Sequence, residues 1–215
     1  MNRQKSPRVR PSEFPNVKAR VRITRLSPTL PVRESYMEIW TKGTRFRVRD
    51  ESGRTVAAIL GDLLQSRGLG EAPATMEDIM DVWSQSYDSS TGVTDLYGDL
   101  ATGKGLVYRR GLDPWPIEAE TLAPAAGQII VGGLDEQLEP RGRVTRLGRP
   151  ATEYHGFLEE ELQGGLCRNE VTQVVSPPYL LFSHVHDARN AAHYYIREIV
   201  SLDEGIVADS DLSPP

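Results

Sequence analysis

The 215-residue chain holds a single cysteine, Cys167, which excludes an intrachain disulfide and any zinc or iron–sulfur site built from several thiolates. Aromatic residues make up only 7% of it. No apolar run approaches the roughly 18 residues that mark a membrane-spanning helix. The G-x-S-x-G elbow of a serine nucleophile does not occur. No internal repeat or low-complexity block is present. Histidine is confined to the last third, as His155, His184, His186 and His193. With 39% hydrophobic and 26% charged residues, the composition is that of an ordinary globular domain. A chain of this length buries enough surface to need no metal or disulfide staple.

The charge is unevenly placed. Residues 1–49 carry 13 Lys/Arg against 3 Glu, and residues 50–215 carry 12 against 27 acids, so the net −5 divides into +10 and −15. Such a split marks either an anion-binding arm or pairing of the two halves within one fold, and the second reading is the plainer one. Residues 1–15 hold basic residues and three prolines but no apolar stretch that could form the core of a secretory signal. The expectation is a mobile basic tail over 1–15, one β-rich domain over 16–208 and a surface tail over 209–215. As written the chain reads as cytoplasmic, or as a cell-envelope protein if a signal precedes this sequence.

From Asn16 the apolar residues fall at every second position. Val17, Ala19, Val21 and Ile23 alternate with Lys18, Arg20, Arg22 and Thr24, which predicts a half-buried strand. Tyr36–Trp40 and Arg45–Arg49 continue the pattern around a Lys42–Gly43 turn, and Val56–Leu60 reads as a further short strand. Thr75–Ser84 changes period: Met76, Ile79, Met80 and Trp83 fall at helical spacing behind a Thr75 cap, predicting a helix of about three turns. Strands are predicted again at Leu106–Arg109, Gln128–Val131, Arg143–Leu147, Val171–Val175, Tyr179–Val185 and Tyr194–Leu202. Phe157–Leu162 reads as a short helix stopped by Gly164–Gly165. Asp113–Pro114–Trp115–Pro116 and Ser176–Pro177–Pro178 read as breakers.

Four groups of residues invite a chemical reading. Gly98–Lys104 has the glycine and lysine spacing of a phosphate loop, but Gly105 stands where a magnesium-holding Ser or Thr is needed. A hairpin turn at Thr102–Gly105 explains the same letters. His184 and His186 share a strand face and precede Asp187, a set that could ligate zinc or iron in a metal-dependent enzyme, although no third ligand completes a known spacing. Cys167 beside Arg168 lacks a catalytic partner. Enzyme chemistry is thus unsupported, and no cofactor is expected. Lys18, Arg20, Arg22, Arg45, Arg47 and Arg49 would form a positive stripe suited to nucleic-acid or lipid phosphates. Period two turns Arg45, Arg47 and Arg49 away from Phe46 and Val48. The aromatics are expected off that stripe, which disfavours nucleic acid.

The motif order resembles bacterial lipoprotein-carrier proteins of the lipoprotein localisation factor type. The segment Tyr36-Met-Glu-Ile-Trp-Thr-Lys-Gly-Thr-Arg-Phe-Arg-Val-Arg49 is similar to their opening hairpin, and Asp95–Tyr108 to the next one. Leu147–Tyr154 resembles the strand after their helical lid. Tyr194–Leu202 and Gly205–Pro215 resemble their closing strand and tail, so the resemblance runs over residues 17–215. It implies a strongly curved antiparallel sheet, a half-open barrel, with helices on its concave side and either acyl chains carried there or a sensor or scaffold role in the cell envelope. The expected fold is therefore mainly β (α+β), with one or two helices on the concave face. The expected function is non-catalytic binding of an apolar or acyl ligand, or of a protein, by Met37, Ile39, Phe46, Val48, Met76, Ile79, Met80, Trp83 and Tyr108.

Overall fold

The computed structural model describes residues 13–27, 30–51, 93–109, 113–131, 137–162, 165–188 and 190–215. The strands are β1 (Phe14–Ser27), β2 (Leu30–Gly43), β3 (Arg45–Asp50), β4 (Thr94–Asp99), β5 (Lys104–Arg109) and β6 (Trp115–Glu118). Helix α1 (Ala119–Ala126) and a 3-10 turn (Gly127–Ile129) follow. The chain continues as β7 (Leu138–Arg146), β8 (Arg149–Leu162), β9 (Gly165–Ser176), β10 (Tyr179–Asp187) and β11 (Asn190–Glu204). All described strands join one antiparallel sheet in the order β6-β5-β4-β3-β2-β1-β11-β10-β9-β8-β7. Every neighbour in that order is also a neighbour in the chain, apart from β1 beside β11. The sheet is thus a meander whose two ends meet in the middle, and it stays open between β6 and β7. It forms a curved half-barrel, as the sequence implied.

Period-two alternation builds the buried face. Val17, Ala19, Val21 and Ile23 of β1 align with Met37 and Ile39 of β2, Phe46 and Val48 of β3, and Leu96 of β4 in one buried apolar cluster. Helix α1 lies on this face, adding Leu122, Ala125 and Ala126, and Ile129 follows from the 3-10 turn. Four of its eight residues are alanine, which allows close approach to the sheet. Two glycines paired across β4 and β5 make the room. A Cβ on Gly98 would stand 2.2 Å from the Phe46 ring, and one on Gly105 would stand 2.9 Å from the Ile117 carbonyl and 3.1 Å from Leu122. The chain then crosses to the far side of the sheet, where Ile130 bridges to Tyr179.

Several expectations need correction. Phe14 and Pro15, assigned to the tail, belong to β1, and Phe14 packs edge-on against Phe46 at 5.6 Å. Phe157–Leu162 is not helical: it continues β8, and Leu162 pairs with Gly165, the first residue of β9. Gln128–Val131 is a 3-10 turn and an isolated bridge, because Ile129 is drawn into the core beneath α1. The breaker Asp113–Pro116 contains the start of edge strand β6, where Pro116 sits in the only kind of strand that tolerates it. The predicted strand Val56–Leu60 and helix Thr75–Ser84 lie outside the described residues.

Candidate functional site

The two faces of the half-barrel offer different chemistry. Met37, Ile39, Phe46 and Val48 all stand on the buried face, with Ile39, Phe46 and Val48 fully covered. Tyr108 does not join them. It lies directly opposite Asp95 on the other face, while its neighbour Val107 points to the core. Met76, Ile79, Met80 and Trp83 lie outside the described residues.

The opposite face carries the arginine stripe. Arg45, Arg47 and Arg49 do alternate with buried Phe46 and Val48. However, β2 lies between β1 and β3, so the stripe is interleaved rather than continuous. One row across the strands reads Lys18, Trp40, Arg47, Tyr97, and the next reads Arg20, Glu38, Arg49, Asp95. The aromatics therefore share the arginine face, contrary to the sequence expectation. The Arg47 guanidinium stacks 4.7 Å from the Trp40 ring and 5.2 Å from Tyr97, and Arg20 lies 4.9 Å from Tyr36. Carboxylates neutralise the stripe from within. Asp95 accepts from Arg47 Nε at 2.8 Å and from Arg49 at 3.2 Å, Arg22 pairs with Glu198, and Arg20 pairs with Glu51. This is the internal pairing that the charge split suggested.

The C-terminal segment completes the cover. Leu212 and Val207 bury against Trp40, while Asp209 pairs with Lys42 and Arg45. Arg47 also donates to the Asp211 carbonyl. The segment expected to lie as a surface tail is thus docked, which is why Trp40 is buried on the outward face of β2. Replacing Leu212 with alanine should release it: residues 205–215 become sensitive to protease and tryptophan emission shifts to the red, while the sheet persists. An unchanged digestion pattern and emission would count against the docking.

The phosphate-loop letters resolve as packing. Gly98 lies under Phe46, Gly105 lies under α1, and Gly103 takes the positive φ of +69° that the β4–β5 turn demands. The histidines gather around one carboxylate. Glu170 of β9 accepts from His155 at 2.7 Å and lies 3.2 Å from His186, whose ring centre is 5.2 Å from that of His184. The His155 hydrogen bond pulls the Glu170 carboxyl below its usual range, and burial pushes His184 down. Among the described residues no group of three His, Cys, Asp or Glu side chains is arranged to hold a metal ion. The sequence singled out His184 and His186 but passed over Glu170, which the β9–β10 pairing places opposite His186.

Near the start of β10 a third arrangement titrates at high pH. The Tyr179 hydroxyl donates to Glu204 at 2.8 Å, and Arg149 pairs with the same carboxylate. Burial, then the Glu204 hydrogen bond, push Tyr179 up to about 12. Its folded value exceeds the unfolded one, near 10, so its stabilisation is full below pH 10 and lost as pH rises through 12. Burial also raises Tyr97, so ultraviolet titration should find late-ionising tyrosines, of which the last disappears in Tyr179→Phe. An unaltered titration of the last tyrosine would refute the assignment.

No family model matches the chain, and no curated protein matches it. Solved structures do. It is 11% identical to a LolA superfamily protein, NE2245, from Nitrosomonas europaea, over 96% of this chain and 94% of that one, at a TM-score of 0.37. It is 12% identical to LprF from Mycobacterium bovis over 89% and 87%, at 0.39. A DUF1329 family protein from Desulfovibrio piger matches at 8% identity over 93% and 90%, at 0.33. Among the described residues no helix is long and apolar enough to cross a membrane.

Proposed function

We propose that the protein is a non-catalytic binding module whose concave apolar face takes an acyl chain or a comparable apolar ligand. The observation that supports this reading is the one-sided placement of apolar residues on an unclosed sheet. The described strands form a continuous order that is open between β6 and β7, and α1 lies on the apolar face. Met37, Ile39, Phe46 and Val48 form the floor in this proposal, while Met76, Ile79, Met80 and Trp83 lie outside the described residues. Tyr108 is left out, since it stands on the other face. Burial of an apolar chain against such a surface is worth roughly 25 cal/mol per Å², enough for a ligand held without any covalent step. The resemblance of the sequence motifs to lipoprotein carriers supports a cell-envelope location in this reading.

Native mass spectrometry of the purified protein tests this. A discrete added mass that is lost on organic extraction and restored by an acyl lipid is the expected result. A bare chain that takes up no acyl lipid after extraction would contradict it.

A further inference from the structure

The inward face carries buried charge at its rim, where Asp50, Thr94 and Arg109 align in one row, and again on β11. Arg197 of β11 stands opposite Ile23 of β1 and opposite Ser183 of β10. Both partners are buried, and Ile23 belongs to the apolar cluster itself. Strand alternation puts Arg197 on the same face as Ile199, which is fully covered, and Tyr195, which packs against the cluster. The Nε of Arg197 is wholly buried and has no hydrogen-bond partner. Among the described residues no carboxylate is within ion-pair distance of its guanidinium. The other arginines of this protein that lie against carboxylates contrast with it: Arg22, Arg47, Arg49, Arg146 and Arg149 each hold an Asp or Glu.

Burying a guanidinium whose Nε has no partner, with no carboxylate in reach among the described residues, is costly, and removing water from it depresses its proton affinity. Five N–H donors in a planar fork suit a carboxylate or a phosphate oxygen pair. Resting on the reading of the concave face as an apolar-ligand site, we propose that Arg197 receives the anionic head of an amphiphile whose chain lies on that face. Ile23 stands four residues from Ala19 along β1, about 13 Å at about 3.3 Å per residue. From Ala19 the row of Ile39, Val48 and Leu96 continues across the sheet. That row is fully covered and shares one packed cluster with α1, so a chain anchored at Arg197 would reach it by displacing that cover. The chemistry chosen is an anionic group on an apolar chain, rather than a free anion or a neutral chain.

Titration calorimetry of the full chain with dodecanoate, dodecanol and inorganic phosphate separates these cases. Dodecanoate should bind about tenfold or more tightly than dodecanol, the scale of one charge-assisted hydrogen-bonded contact. In Arg197→Met that preference should vanish through loss of dodecanoate affinity, with dodecanol unchanged. Arg197→Lys should keep a part of it, and serves where the methionine variant does not fold. The melting temperature of ligand-free Arg197→Met should be no lower than that of the parent, because an unpaired buried charge has been removed. Equal affinity for acid and alcohol in the parent, or a preference that survives in both variants, would overturn the anion site and leave the apolar-face reading standing. Inorganic phosphate binding as tightly as dodecanoate would also overturn it, in favour of a free-anion site. Binding of neither chain would remove the apolar-face reading itself, and this inference with it.

Discussion

Phe46→Ala should lower the stability of the sheet by about 3–5 kcal/mol, the usual range for emptying a buried aromatic site. The ring is fully covered, stacks edge-on with Phe14, and fills the space that Gly98 leaves on β4. Collapse cannot repair the loss, since the wall at Gly98 is backbone. The converse change tests the same contact from the other side. In Gly98→Ala the new Cβ would stand 2.2 Å from the ring, so the ring must move, at a cost of about 1–3 kcal/mol. Because the two residues touch, their effects should not add: alanine at 98 should be better tolerated once Phe46 is alanine. Additive losses in a denaturant-unfolding cycle would show that the ring does not occupy the Gly98 surface.

Asp95→Ala should cost about 3 kcal/mol. Asp95 is the shared partner of Arg47 and Arg49, and its side chain is 10% exposed. Removing one member of a buried ion pair leaves the remaining charge desolvated, which elsewhere costs about 3–5 kcal/mol. The lower end applies because Arg49 is 35% exposed and can rehydrate, whereas Arg47 at 15% stays wedged between Trp40 and Tyr97. Asp95→Asn should lose less, since its amide oxygen can still accept from Arg47. Unfolding curves of both variants decide it. Indistinguishable stability of the parent and Asp95→Ala would mean that the stripe is neutralised elsewhere.

The parts of the fold that rest on local alternation were legible in the residues. Val17–Ile23, Arg45–Arg49 and Tyr194–Leu202 carry the period of a half-buried strand, and each lies within one. What local pattern cannot carry is long-range cover. Trp40 sits at an outward position, and Leu212 and Val207 return from the far end to bury it together with Lys18 and Arg47. Helix α1 was missed because Pro124 lies inside it and its alanines give little amphipathic contrast. Phe157–Leu162 has no decisive period, and Gly164–Gly165 can close a helix or a hairpin equally well. Tyr108 was placed inward because it is aromatic, although Val107 holds the inward phase set by Leu96.

Arg197 had a readable signal. Counting by two from Ile199 and Tyr195 puts a charged residue at an inward position, and such a residue marks either an internal partner or a ligand. Glu170 had none, because its place beside His155 and His186 depends on pairing among β8, β9 and β10. The charge split was informative in a different way. The basic start of the chain meets its acids across the sheet and at the C-terminus, in Asp95, Glu198 and Asp209.

The central claim is that the face carrying Met37, Ile39, Phe46 and Val48 holds an amphiphile. The most direct measurement is a crystal structure grown with ω-bromododecanoate, with the bromine located by its anomalous signal. The account predicts one bromine on the inner face, against the β1–β4 floor, with the carboxylate at Arg197. A bromine on the outer face among the arginines, or no ordered bromine at saturating ligand, would contradict it.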